Sequence, residues 1–262
     1  MNLFKVKCVV AKIIDCIGLA DYSIKSLGKD YIRIINYHHV LQEDEKGFEQ
    51  QLQFYNTNFE NVDYEKFKKY MNGNYIFKKK PGLIITFDDG YLDNYEVAFP
   101  MLKKYGFTGW YMVSSGLIDT DGYMSSDQLK ELLSSHHVIG CHTYSHHRME
   151  HNDQEEVLKH EIVEAKYDLE NKTGVGIDIF CWCGGEEQHY THNAAQMIKR
   201  AGYKYSFMTN AKPVVSNDNK LQLERSNVEA YYETSLMKFQ LSFFNDLKFK
   251  NKRKRVEKIT NV

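Results

Sequence analysis

The chain has 262 residues, with 34 Lys+Arg against 35 Asp+Glu and a formal net charge of -1. That length allows one large α/β domain with a sizeable core, and the balanced charge excludes a general nucleic-acid binder, which needs a basic excess to neutralise phosphates. Cys8, Cys16, Cys141, Cys181 and Cys183 are odd in number and lack a repeated C-x-x-C spacing, so neither a disulfide framework nor a cysteine-rich zinc site is expected, and reduced, cytosolic thiols are.

From the N-terminus, CVVAKIIDCIGLA is interrupted by Lys12 and Asp15, is too short to span a bilayer and has no small-residue cleavage site. Residues 1–30 therefore read as an amphipathic helical segment packed on the body of a cytoplasmic protein. Short β-prone runs then alternate with helical patterns, the signature of parallel βα units. The strand candidates are 32–37, 83–87, 107–113, 137–141, 177–183, 203–208 and, least regular, LQLERSNV at 221–228. The helical stretches include FEQQLQFYNTNF, LDNYEVAFPMLKKY, SSDQLKELLSS, a long one over 153–172 and HNAAQMIKRAG. In the long stretch Asp153 and Glu156 have capping-box spacing, and its charges read as a solvated face. No repeat or low-complexity linker divides residues 31–247, which are expected to form a single domain, an α/β barrel or a doubly wound sheet of about seven parallel strands. The basic run KFKNKRKRVEK begins a separate C-terminal tail, 248–262, expected to fray, with loose attraction to anionic phospholipid as its functional alternative.

Chemistry concentrates where these strands end. His38, Asp88, Asp89, His142, Cys183 and Arg225 each fall at or just past the C-terminal end of a candidate strand, the end at which such sheets collect active-site groups. ITFDDGY places Asp88 and Asp89 side by side; an Asp-Asp-Gly run also suits an ordinary turn, but a cation could neutralise one carboxylate and leave the other for proton transfer. In CHTYSHHRM, His142 and His146 are four apart, so on one helical turn both imidazoles could reach a single ion. With Asp89 they make two histidines and one carboxylate, the composition of a catalytic site with open positions. Zinc is the expected ion, although Co, Ni or Fe would accept the same ligands. His147 and His151 read as surface or supporting groups.

TFDDG (86–90) and HTYSH (142–146), each after an apolar strand, resemble the first two motifs of the NodB-like polysaccharide deacetylase family. NYHHV (36–40) resembles the MYHxV-type opening of bacterial members, and KRAGYKYSF (199–207) the family's late helix–strand step, so the likeness extends over about residues 31–229. It implies metal-dependent removal of an acyl group, usually acetyl, from an amino sugar on a distorted (β/α) barrel. Asp88 matches the catalytic base, and Asp89, His142 and His146 match the ligands. No histidine follows residue 192, so a late histidine motif is missing and His38 is the expected proton donor. The third motif departs from the pattern: CWCGG (181–185) has Cys181 and Cys183 where Arg and Pro would stand. Gly184 still offers a backbone N–H to an oxyanion, Trp182 is a candidate sugar platform beside Tyr91, and Arg225 resembles a last-strand arginine that can orient Asp88 and keep it ionised. Contact of the C-x-C pair with a metal is a further alternative.

The expected partner is an N-acetylated or N-formylated sugar or glycan of cell-envelope assembly, lipid-linked or nucleotide-linked, with peripheral membrane contact through helix 1–20 and the run 248–258. Two alternatives belong to other classes. One is a degenerate metal-containing carbohydrate-binding protein without turnover, which would not need both aspartates. The other is an Fe(II) oxygenase, which the alternating βα pattern disfavours.

Overall fold

Side-chain alternation along short, mostly buried strands produces the architecture. The computed structural model describes residues 3–262, so the first two residues of the expected segment 1–30 lie outside the described residues. The strands are β1 (Ile32–Tyr37), β2 (Glu60–Asn61), β3 (Gly82–Phe87), β4 (Gly109–Val113), β5 (Val138–Cys141), β6 (Ile179–Cys181), β7 (Tyr205–Met208), β8 (Leu223–Glu224) and β9 (Ser226–Asn227). They run β8-β7-β6-β5-β4-β3-β1-β9, every pair is parallel, and short β2 borders the start of β3. Arg225 alone separates β8, which pairs with β7, from β9, which pairs with β1. The segment LERSN thus closes the ring, and the molecule is a single-domain distorted (β/α) barrel whose closing strand is the one least regular in the sequence.

Because successive side chains on a strand point to opposite faces, each strand feeds two cores. Ile32, Ile34, Ile84, Trp110, Met112, Ile179 and Phe207 fill the interior, closed at its base by Phe67 and Tyr70 of the helix Tyr64–Met71. The alternate residues, among them Ile35, Ile85, Tyr111, Ile139 and Phe180, pack outward against the surrounding helices. Continuing the inward parity past the strand ends brings Asn36, Asp88, His142, Cys183, Thr209 and Asn227 to the barrel mouth.

Three sequence expectations need correction here. The capping box of Asp153 and Glu156 does not form: the helix begins at Glu155 after Gln154, and Asp153 Oδ2 instead accepts from Glu150 N–H at 2.7 Å and meets His147 Nε2 at 3.0 Å. A capping box forms instead at Ser125 and Gln128. The charges of this long helical stretch are not all solvated, since Glu161 is buried on the inner side of a π-helical segment, Lys159–Glu164. Nor does the basic run fray: it lies in the helix Phe243–Thr260, which crosses the expected boundary at 247/248 and buries Val256 and Thr260. Arg33, on the outer face of β1, clamps that helix through Asp246 with two bonds of 2.7 and 3.0 Å.

At the N-terminus the helices Leu3–Cys16 and Leu19–Ser26 pack on the helix Thr234–Leu241, secured by Lys238 between Asp15 and Asp21 at 3.0 Å each. Their inner face buries Ala11, Ala20 and Ile24, while Val9, Ile13 and Ile17 remain exposed. Among the described residues no helix is long and apolar enough to cross a membrane.

Glu224, in the closing strand, is buried and accepts from Asn210 through both carboxylate oxygens at 2.8 and 3.1 Å. Burial outweighs these bonds and pushes its carboxyl up from 4.5 to about 7. In this interval the folded chain binds more protons at Glu224 than the unfolded chain, so this group's contribution to stability must fall as pH rises from 4.5 to about 7. Chemical denaturation at several pH values should show that decline flattened in Glu224→Gln.

Candidate active site

Asp88 and Asp89 reach the same cavity because the backbone reverses between them. On a continuing strand neighbouring side chains diverge, but Asp89 takes a left-handed conformation (φ 75°), followed by Gly90 at φ 87°. A side chain on Gly90 would also meet Val113 Cγ1 at 3.0 Å, which together with its φ accounts for glycine after the aspartates.

His142 and His146 converge by a different route from the expected helical turn. His142 continues the inward parity of β5, and residues 143–149 form an irregular loop with Thr143 at φ 66° and His146 at φ 63°. These two left-handed residues exclude an α-helix and fold the loop back over the mouth. A β-branched Thr in that region is strained, and the surroundings hold it there. Glu161 accepts the N–H groups of Tyr144 and Ser145 at 3.0 Å each and the Ser145 hydroxyl at 2.7 Å, while Thr143 Oγ1 accepts His147 N–H. Sequence reasoning missed Glu161; its position on the inward stripe with Leu158 and Ala165 was the available signal.

Asp89 Oδ1 lies 3.4 Å from His142 Nε2 and 3.1 Å from His146 Nε2. It is buried, yet accepts no well-formed hydrogen bond. His142 Nδ1 is 2.9 Å from the Cys181 carbonyl, which accepts its hydrogen and leaves Nε2 as a free lone pair. Ligand bonds of about 2.0–2.2 Å on a tetrahedral ion place neighbouring ligand atoms about 3.3 Å apart, so the carboxylate-to-imidazole spacings and the orphaned oxygen fit one shared cation. Burial opposes the charge on Asp89, but the two imidazoles hold its carboxyl far below the ordinary range.

Asp88 has a different environment. Arg225, itself buried, binds it bidentately at 2.6 and 2.7 Å and also donates to Thr86 Oγ1 at 2.9 Å. Asn36 Nδ2 is 3.4 Å from Asp88 Oδ2. Burial would raise this carboxyl, yet the Arg225 guanidinium, with the His142 and His38 imidazoles nearby, leaves it below its ordinary value. His38 Nδ1 meets Glu229 Oε1 at 3.0 Å. Burial pulls the imidazole down, but the bond to Glu229 and the charges of Asp88, Glu229 and Asp89 outweigh it and raise it. Glu229, four residues past the arginine of the closing strand, was also missed.

Asp88, Asp89, His38, His142, His146, Tyr91, Trp182 and Gly184 all border one cavity of about 400 Å³, joined by Arg148, Glu186 and Thr209. Tyr91 is half-buried and stacks on His39 with ring centroids 3.8 Å apart. Trp182 does not serve as an open sugar platform: it is 2% exposed, takes the outward parity beside Phe180 and donates its indole N–H to Ser206 at 2.9 Å. Gly184, at φ 74°, would bring a side chain to 3.0 Å from Glu186. Its N–H donates to no other group among the described residues. His151 stays exposed.

Residues 77–206 match the family model described as polysaccharide deacetylase. Over 71 residues the chain is 39% identical to the curated relative YxkH of Bacillus subtilis (strain 168); the match covers 26% of this chain and only 25% of that protein's length. The Streptococcus pyogenes deacetylase PplD, solved in complex with acetate, superposes with a TM-score of 0.69 at 22% identity, covering 82% of this chain and 98% of that one. IcaB from Ammonifex degensii gives 0.70 at 22% identity, covering 83% and 97%. At these identities the two structures corroborate the barrel fold.

Removing Arg225 would leave the Asp88 charge buried and uncompensated. Arg225→Met should therefore destabilise the fold by about 3–5 kcal/mol, read from the shift in denaturation midpoint. Arg225→Lys should recover only part of the loss, since an ammonium cannot reproduce the two-pronged contact.

Proposed function

The chain belongs to the polysaccharide deacetylase family, and from that premise we propose that it is a metal-dependent hydrolase removing an N-acetyl or N-formyl group from an amino sugar. The observation that carries this reading is the division of labour between adjacent aspartates. Asp89 faces two imidazoles, while Asp88 is held apart by Arg225 in the same cavity. Asp89, His142 and His146 would hold a divalent ion, with zinc best suited to the mixed nitrogen and oxygen donors. Such an ion polarises an amide carbonyl and acidifies water.

Asp88 is the base that accepts a proton from the attacking water. Arg225 occupies one lone-pair direction on each carboxylate oxygen, keeps the group ionised and leaves another direction for that proton. Gly184 N–H is the donor to the developing oxyanion. An amine leaves only after protonation, and His38, raised above its ordinary value and fixed by Glu229, is the matching acid. Both aspartates and a proton donor around one cavity favour turnover over the carbohydrate-binding alternative.

Incubating metal-loaded protein with N-acetylated and N-formylated sugars and glycans, and measuring free acetate or formate together with new amine, tests this reading. Asp88→Asn should retain metal and lose at least about 100-fold in rate. Glycan binding without acid release would support the non-catalytic alternative instead.

The substrate class we propose is an amino sugar of the cell envelope linked to lipid, met at a membrane surface. Val9 and Ile13 on the outer side of the first helix and Ile17 in the turn after it recur every four residues and are exposed, with exposed Lys5 nearby in the chain. Lys248, Lys250 and Lys254 are exposed on the C-terminal helix, and each basic residue at an anionic surface contributes about 1 kcal/mol. The protein should sediment with vesicles of anionic phospholipid and lose most of that binding in the double variant Ile13→Asp, Ile17→Asp. Equal binding by the double variant, or none by the wild type, would favour a nucleotide-linked substrate.

A further inference from the structure

The C-x-C pair of CWCGG has no part in the proton transfers above, yet it projects into the site. Cys181 and Cys183 share the inward parity of β6, and both are buried. Cys183, His142 and His146 each offer a ligand atom within 4.8 Å of the others. The Cys183 sulfur has only weak polar neighbours, the His142 carbonyl at 3.4 Å and Thr143 Oγ1 at 3.5 Å. Asp88, His142 and Cys181 form a second set of the same kind. An ion there would have to displace Arg225 from Asp88, a bidentate contact at 2.6 and 2.7 Å. The two sulfurs are therefore not equivalent: Cys183 stands beside the free imidazoles, Cys181 beside a neutralised carboxylate.

We propose that Cys183 is a sulfur ligand of the ion held by Asp89, His142 and His146, which gives this chain a softer and tighter metal centre than two imidazoles and a carboxylate provide. The inference rests on the metal-site reading above. On binding, the thiol S–H bond breaks, the proton passes to solvent and the sulfur lone pair forms the bond to the ion, with no change of oxidation state. A thiolate favours zinc over magnesium or manganese, and the ion would then take water or substrate as a further, fifth ligand.

Cobalt(II) substitution reads this directly, because a thiolate ligand adds an intense sulfur-to-cobalt charge-transfer band in the near ultraviolet that nitrogen and oxygen ligands do not produce. The wild-type protein loaded with Co²⁺ should show the band. Cys183→Ser should abolish it and weaken affinity for the ion by about tenfold or more, the scale that even outer partners of a metal site contribute. Cys181→Ser should keep it. If Cys183→Ser fails to fold, a wild-type band that persists in Cys181→Ser assigns the sulfur to Cys183, and one lost in Cys181→Ser overturns the proposal. Stoichiometric Co²⁺ binding without the band would overturn the sulfur ligand and leave the hydrolase reading intact, as would a band that survives in Cys183→Ser. No Co²⁺ binding at all would overturn both.

Discussion

Arg225 and Asp88 meet at the barrel mouth as a buried bidentate ion pair, on which both ring closure and the proposed chemistry depend. Arg225 is the one residue between the two short strands that complete the ring, and its guanidinium reaches across the interior to the end of β3. Dehydrating two charges is costly unless each finds near-ideal partners. Here the guanidinium also contacts Thr86, and the carboxylate also has Asn36 nearby. A residue that closes the fold thus fixes the orientation and charge of the group proposed as base.

Where the resembling pattern would place an arginine, Cys181 lies 3.7 Å from Asp88 Oδ1. The positive charge arrives instead from the closing segment, which β7 separates from β6. This exchange is physically reasonable because a barrel interior has no privileged strand: any inward position at the same height reaches the same point.

The second organising feature is backbone strain gathered at the mouth. Asp89, Thr143 and His146 all adopt left-handed conformations. Each costs free energy that the surrounding network must offset. Glu161 anchors the loop that carries the histidines, and the Cys181 carbonyl fixes the His142 ring. The result is a set of proposed ligand atoms held together by contacts other than their own. The helices at the two ends of the chain lie outside the matched segment 77–206 and pack on one another around the helix Thr234–Leu241. They give this chain an apolar outer stripe and a basic helix that the barrel itself does not require.

The sequence by itself determined the alternation of strand and helix, the approximate strand positions and the identity of the groups at their C-terminal ends, because two-residue periodicity and apolar runs are local properties. Asp88, Asp89, His142, His38 and Arg225 were legible for that reason, and His146 only by its spacing from His142. Tertiary structure decided what local patterns do not encode. The histidines converge through a left-handed loop and not a helix; Trp182 follows the outward parity into the core; Glu161 turns inward to hold the loop; Glu229 arrives from the closing strand to meet His38. Each outcome depends on contacts between residues far apart in the chain, and burial, which sets both charge and accessibility, exists only once the ring has closed.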